Sequence, residues 1–470
     1  MGERATRTRA KKSIVERLRM AAGPGGEADA ERAKTDRHLG LTGECLIALA
    51  PSTVEQIAAV ISLCHREDLA VVPQGGRTGL VGGALATADS AVAISLERLN
   101  RIRDVDPGSF TATVDAGVVL ADLQHHLGPL DLRLPLDLGS AESCQIGGLV
   151  ATNAGGIGAL RFGSMRELVL GLEVVLPDGR IWNGLRQVRK DNSGYDLKSC
   201  FIGSEGTLGV ITGAVLKLSP IPRSRATALI GLRHRDDLIP LFVSARNALS
   251  EFVSAFELVS AIGFDHALVV DTALQRPFDR RFEDYVMIEL ESAIDLDLDA
   301  HLQNWLERQA DVGRILDAAL AQNLTQRAAF WRIRELAPWG GGESIQFDIS
   351  VPLTCIPAFL AQADRSVRTV SPGAGLNAFG HVGDGNIHYH ICPPAGLPDA
   401  AFAALRPRFS DAVHDAATRL GGSFSAEHGI GLARKAELRR YKDALELGLM
   451  RDLKTALDPR GTMNPSKIFD

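Results

Sequence analysis

Three imidazoles fall within ten residues in the segment Gly380-His381-Val382-Gly383-Asp384-Gly385-Asn386-Ile387-His388-Tyr389-His390-Ile391. If residues 386–391 form a strand, its period of two puts Asn386, His388 and His390 on one face. Ile387, Tyr389 and Ile391 then point the other way. A face of this kind suits a polar or metal site, and His381, across a glycine turn, can bring a second ring to the same ion. A solvated sheet face has the same signature, so spacing alone leaves both open. The turn Ser425-Ala426-Glu427-His428-Gly429-Ile430-Gly431 sets a carboxylate beside an imidazole. That pair can supply a third ligand and a general base, or be an ordinary solvated turn.

Glycine-dense loops are the other concentration of chemistry. The first, Gln74 to Gly83, follows a strand expected over Ala70–Val72 and closed by Pro73. Its backbone N–H groups can cradle an anion, with Arg77 adding charge. Neither G-x-G-x-x-G nor G-x-x-x-x-G-K-[ST] occurs, so a nicotinamide Rossmann site and a P-loop both lack their fingerprints. A second region holds Gly147-Gly148, Thr152-Asn153 and Gly155-Gly156, and Gly203 to Gly209 repeats the theme before a β-branched run. Several such loops between short strands suit a large planar cofactor with a pyrophosphate, against the alternative of independent tight turns.

The elements that must position these loops are legible in outline. Ile47–Ala50 ends at Pro51, and Ser52 with Glu55 makes a capping-box signature. Val54, Ile57, Ala58 and Ile61 follow at helical spacing. Strands are expected over Ala91–Leu96, Thr111–Val114 and Leu168–Leu176, the last closed by Pro177-Asp178-Gly179. The texture changes after Pro220-Ile221-Pro222, with strands expected over 226–232, 253–259 and 285–291. Residues 405–470 read as mostly helical.

Length and composition bound the rest. At 470 residues the chain needs two or three domains. Its 51 Lys and Arg against 57 Asp and Glu give a formal charge of −6, with no basic footprint for nucleic acid. No segment is apolar enough to span a bilayer. Six scattered cysteines without a CxxC read as reduced thiols in a cytoplasmic protein. The basic N-terminus lacks a secretory apolar core and reads as an exposed tail leading into a short amphipathic helix.

Together these stretches resemble the FAD-dependent 2-hydroxy-acid dehydrogenases of the vanillyl-alcohol-oxidase flavoprotein superfamily. That group includes D-lactate dehydrogenases, the flavin subunit of glycolate oxidase and D-2-hydroxyglutarate dehydrogenase. The likeness runs from about Leu49 to Asn464-Pro465-Ser466-Lys467-Ile468-Phe469, with five separated motifs in the family's order. The run RKDNSGYDLKSCFIGSEGTLGVIT most resembles the D-2-hydroxyglutarate dehydrogenase branch. The resemblance implies an α+β fold: a tail and helix over 1–40, a two-part FAD-binding domain over 41–222, an α+β cap over 223–404 and a C-terminal helical segment over 405–470 returning to the FAD domain.

By the same resemblance Gly75, Gly76, Arg77, Thr78 and Gly79 hold the pyrophosphate of a non-covalently bound FAD. Ser143, Gly147, Gly148, Thr152, Asn153 and Gly156 line the flavin, Glu205, Gly206 and Ile211 continue that wall, and Asn464 reaches back to it. His381, His388 and Glu427 match the ligands of a divalent metal, usually zinc in the family, and His428 matches the catalytic base. Arg334, in FWRIRE, matches the arginine that grips a substrate carboxylate. Two positions depart from the D-2-hydroxyglutarate branch: His390 stands where an asparagine is usual, and Gln346, after a shortening near Gly340-Gly341-Gly342, where a lysine meets the distal carboxylate.

The activity implied is metal-assisted dehydrogenation of a D-2-hydroxy acid to the 2-oxo acid, with D-2-hydroxyglutarate favoured and D-lactate dehydrogenase or a glycolate oxidase flavin subunit as alternatives. A metal-dependent hydrolase without flavin, and a non-catalytic FAD-binding subunit of a larger complex, are the readings from other classes. The expected partners are a small 2-hydroxy acid and a separate, unidentified electron acceptor, without nucleic acid or a membrane span. Oligomeric state has no signature, though dimers are common in such families and a homodimer is admitted.

Overall fold

The computed structural model describes residues 2–339 and 344–470, so the shortening near Gly340-Gly341-Gly342 lies outside the described residues. The chain forms two compact units. One gathers the stretch up to Gly156 with Gly163–Pro220 and Glu427–Asp470, and the other gathers Ile157–Phe162 with Ile221–Ala426. Among the described residues, no helix is long and apolar enough to cross a membrane.

The first unit holds a three-stranded parallel sheet, Ile47–Leu49, Val92–Ser95 and Val71–Gln74 in that spatial order. The helix Val54–Arg66 buries Val54, Ile57, Val60, Ile61, Leu63 and Cys64, so about half of its circumference faces the protein. Its cap lies one residue beyond the expected Ser52/Glu55 pair. Thr53 accepts from the Gln56 N–H at 3.2 Å, and the Gln56 side chain accepts from the N–H groups of Ser52 and Thr53.

The strand expected to end before Pro73 continues through it to Gln74. Proline is tolerated because this strand is at the sheet edge. There Val71 pairs with the C-terminal tail instead: its N–H donates to Thr462 O and its carbonyl accepts from Asn464 N–H. An antiparallel five-stranded sheet, ordered Ile181–Gly184, Val169–Val175, Val210–Lys217, Thr111–Asp115 and Ile102–Asp106, completes this unit's framework. The N-terminal helix runs Gly2–Ala22, longer than the short helix expected.

The second unit is built on a seven-stranded antiparallel sheet, ordered Ile315–Leu320, Ser224–Leu232, Asp284–Ser292, Val253–Ser260, Gly375–His381, Asn386–Cys392 and Ile345–Ser350. One face is mainly apolar, although the Tyr389 hydroxyl donates to Asp364 at 2.7 Å. Phe256, Leu258, Ile288, Ile345, Phe347, Ile387, Tyr389 and Ile391 pack there against residues such as Trp305, Phe359 and Phe409 from the covering helices. The opposite face carries the helices Ala261–Val270 and Leu324–Leu336 over Val259, Tyr285 and Met287.

The helix Leu324–Leu336 is capped by Asn323, whose side chain accepts from Gln326 N–H. It is clamped to the sheet by Glu289, which accepts two hydrogen bonds from Arg327 (2.7 and 2.9 Å), one from Trp331 Nε1 (2.8 Å) and one from Thr227 (2.7 Å). Removing a partner from a buried ion pair costs about 3–5 kcal/mol. Glu289→Ala should lower unfolding free energy toward the lower end of that range, because Arg327 keeps partial access to water. Urea denaturation of the variant against the parent measures it.

Candidate functional site

On the polar face of the second unit's sheet, register brings side chains into rows. Glu257 is the strand partner of His381, His388 of both Phe379 and Asp348, and His390 of both Asn377 and Gln346. The imidazoles of His381 and His388 lie 5.5 Å apart, centroid to centroid. Behind His381, Glu257 Oε1 meets Nδ1 at 2.7 Å, while Oε2 accepts from Arg334 Nε, also at 2.7 Å. Burial pushes the Glu257 carboxyl up, but His381 and Arg334 outweigh it and hold it at about 2.

Behind His388, the fully buried Asp348 lies 3.6 Å from Nδ1 and accepts from Asn386 Nδ2 at 2.8 Å. The Arg334 guanidinium lies over the Phe379 ring, and the rings of His388 and His390 flank it. His390 Nδ1 is 3.1 Å from the Pro338 carbonyl. Burial pushes the nearby Asp384 carboxyl up to about 6.

The first unit assembles its glycine loops by close backbone approach. A Cβ on Gly76 would lie 2.0 Å from the Ser143 carbonyl oxygen, and one on Gly206 would lie 2.5 Å from Pro73. Gly79 and Gly148, by contrast, would carry a Cβ into open space, so their bare faces line room for a ligand. Glu205 N–H donates to Ala151 O, docking the Gly203–Gly209 loop on the end of the helix Ile146–Ala151.

Arg77, Asn153, Glu205 and Asn464, all expected at the cofactor, have φ of 57°, 51°, 51° and 42°. Such backbone is costly for residues with a Cβ and gathers at functional sites. Asn464 Nδ2 donates to Gly83 O and Glu205 O, while its Oδ1 is buried without a partner among the described residues. Gln145 Oε1, beside Gly75, is likewise buried and unpartnered. Two orphaned acceptors among bare glycine backbone fit a large ligand bearing N–H and O–H donors, as FAD does.

Several expected residues spend their side chains on the protein. Arg77 donates to the Arg32 carbonyl. Thr152 donates to Gly148 O, and Asn153 accepts from Ser164 and from Arg166 N–H. Ile211 is buried in the strand Val210–Lys217. Glu205 Oε1 and Oε2 accept from the N–H groups of Ile430 (2.7 Å) and Gly431 (2.8 Å), fixing the turn that carries His428. Gly429 has φ +79°, and a Cβ there would lie 2.7 Å from Glu205 Oε1. Arg434 Nη2 is 3.3 Å from His428 Nδ1.

Glu427 and His428 thus belong to the first unit. They directly follow Ala426, whose N–H donates to Asp348 O in the second. Sequence reasoning missed Glu257, Asp348 and Gln145. The first two had a signal, a lone charge in an otherwise uncharged strand.

Comparison with known proteins agrees with this geometry. Residues 46–184 match the FAD binding domain family, and residues 221–468 match the C-terminal domain of FAD linked oxidases. The D-2-hydroxyglutarate dehydrogenase of Xanthomonas citri is 36% identical over 462 residues, spanning 97% of this chain and 95% of that protein. The mitochondrial D-2-hydroxyglutarate dehydrogenase of Danio rerio is 37% identical over 434 residues, spanning 91% and 79%. The D-2-hydroxyglutarate–pyruvate transhydrogenase of Saccharomyces cerevisiae is 35% identical over 439, spanning 91% and 87%.

Among solved structures, p-cresol methylhydroxylase superposes with a TM-score of 0.73 at 17% identity, covering 98% of this chain and 97% of that one. Alkyldihydroxyacetonephosphate synthase gives 0.72 at 18%, covering 97% and 84%. These likenesses show the fold, the vanillyl-alcohol-oxidase type expected.

The Glu205 clamp makes a local prediction. In Glu205→Gln the amide NH2 must face one of the two N–H donors, so one charge-assisted hydrogen bond, worth roughly 1.5–3 kcal/mol, is lost. Hydrogen exchange at Ile430 and Gly431 should quicken about ten- to a hundredfold. Unchanged protection would mean that other contacts hold the turn.

Proposed function

The chain belongs to the FAD-linked D-2-hydroxy-acid dehydrogenase family, and we propose that it oxidises a D-2-hydroxy acid to the 2-oxo acid, with a D-2-hydroxyglutarate-like substrate favoured. The observation that carries the reading is the buried polar sheet face, where two adjacent imidazoles and an arginine each have a carboxylate or an aromatic ring fixing them. FAD supplies the hydride acceptor, and a divalent metal, zinc for preference, supplies a Lewis acid that lowers the pKa of the substrate hydroxyl.

His381 and His388 are two of the metal's ligands, and Glu427 is the third. Imidazoles backed by carboxylates are the donor chemistry such a metal selects. Among the described residues Arg334 uses only Nε on the protein, so its terminal nitrogens can take the substrate carboxylate as a fork. His428 accepts the hydroxyl proton. His390 and Gln346, paired across strands on the same face, meet the far end of the substrate. FAD is held without a covalent link, since Gln74 to Gly83 contains neither histidine nor cysteine. Turnover would need a separate electron acceptor to take up the electrons that FAD would receive. None of the six cysteines is in a disulfide, which suits a cytoplasmic setting.

Turnover of D-lactate, D-malate and D-2-hydroxyglutarate with an artificial electron acceptor, with and without chelator, tests this. Oxidation that chelator abolishes and zinc restores is expected, with a loss of about 100-fold or more in His428→Asn. A colourless protein, or full activity after metal removal, would refute the corresponding part.

Gln346 decides how strongly a second carboxylate is preferred. A charge-assisted contact is worth roughly 1.5–3 kcal/mol, but Gln346 is exposed, so the lower end applies. Gln346→Lys should raise kcat/KM for D-2-hydroxyglutarate relative to D-lactate by about tenfold. An unchanged ratio would remove Gln346 from the pocket.

A further inference from the structure

We propose that Glu257 is a positioning residue that ties a metal ligand to the substrate-gripping arginine, so that metal affinity and carboxylate binding are set by one buried side chain. The proposal rests on the metal-assisted reading above and goes beyond it, because Glu257 touches neither substrate nor cofactor in that reading. Glu257 is 1% exposed and stands in the middle of the strand Val253–Ser260. Its two oxygens are committed separately, Oε1 to His381 Nδ1 and Oε2 to Arg334 Nε, both at 2.7 Å. Those lengths are typical of charge-assisted bonds.

Each commitment has a chemical consequence. An ionised carboxylate at Nδ1 keeps that nitrogen as the donor and so puts the ring's lone pair on Nε2, the nitrogen that would coordinate. It also raises the basicity of the imidazole. Engaging Arg334 through Nε fixes the plane of the guanidinium and presents its terminal nitrogens, rather than its side edge, to a carboxylate. The anion also offsets the Arg334 charge, which would otherwise oppose a dication bound at His381.

A mere fold clamp would predict lost stability and nothing more. The polar face already has such a clamp in Glu289, which holds the same helix through Arg327 and Trp331. Helix docking therefore does not depend on Glu257 alone.

Zinc dissociation constants by chelator competition, flavin content, and KM for D-2-hydroxyglutarate at saturating zinc, measured on the full chain, test the proposal in Glu257→Gln and Glu257→Asp. Glutamine offers one acceptor where two donors converge. That variant should bind zinc about 10- to 100-fold more weakly and show a raised KM even with zinc saturating, while retaining its flavin. Aspartate keeps the charge and should recover part of both. If the glutamine variant does not fold, the aspartate variant alone decides, by weaker zinc binding and raised KM against the parent. Parent-like zinc affinity, or weakened zinc with KM unchanged, overturns the proposal. A parent chain that binds no zinc removes the metal reading itself, and the proposal with it.

Discussion

A carboxylate taken out of water carries a penalty of several kcal/mol unless cationic or strongly donating partners surround it, and Glu257 is almost wholly buried in the second unit. That penalty constrains more than the local contacts. Glu257 and His381 are strand partners, and a slip of one residue would turn every side chain of one strand to the opposite face. The carboxylate would then face Arg334 with one oxygen unmatched or, if its own strand slipped, turn to the face that packs Ile288 and Phe359 with both unmatched. The buried charge therefore specifies register as well as chemistry.

The helix above it obeys the same logic. Arg327 and Arg334 are seven residues apart, about two turns, and so project from one side. They meet Glu289 and Glu257 on neighbouring strands.

The first unit solves a different problem by different means. A flat cofactor of FAD's size needs long stretches of main chain close by, and side chains would stand in the way. Gly76 against Ser143 and Gly206 against Pro73 show how tightly the loops nest. Thr152 and Asn153 stabilise their own turns, and Glu205 spends both oxygens on the Ile430–Gly431 backbone. Glu205 thereby braces the His428 turn. The tail closes the arrangement: Asn464 adds backbone pairing at Val71 and side-chain bonds to Gly83 and Glu205, joining residues far apart in the chain.

What was legible in the sequence follows from range. The alternation of Asn386, His388 and His390 with Ile387, Tyr389 and Ile391 is a local property, and the strand displays it. The helix after Pro51 was also legible, but not its cap, because Ser52 with Glu55 and Thr53 with Gln56 both satisfy the same four-residue pattern. Pro73 misled because its cost depends on which side of the strand lacks a sheet partner, something only the tail's return reveals. The Glu257–His381 bond spans 124 positions, and the Glu205–Ile430 bond spans 225. No spacing rule reaches that far, although a single charge in the otherwise uncharged run VSAFELVS marks a carboxylate that must have found a partner.

The same row geometry bears on substrate length. Successive residues on one face of a strand are two positions apart, about 6.7 Å at the usual rise. The Gln346–His390 row is therefore one such step from the Asp348–His388 row, which holds one of the proposed metal ligands. The two carboxyl carbons of an extended five-carbon diacid are about 5 Å apart, from ordinary bond lengths and angles. A substrate held by one carboxylate beside His388 would thus bring its other carboxylate within reach of the next row, whereas a three-carbon acid would not. That row offers an amide and an imidazole and no ammonium, so it can hydrogen-bond a second carboxylate without demanding one.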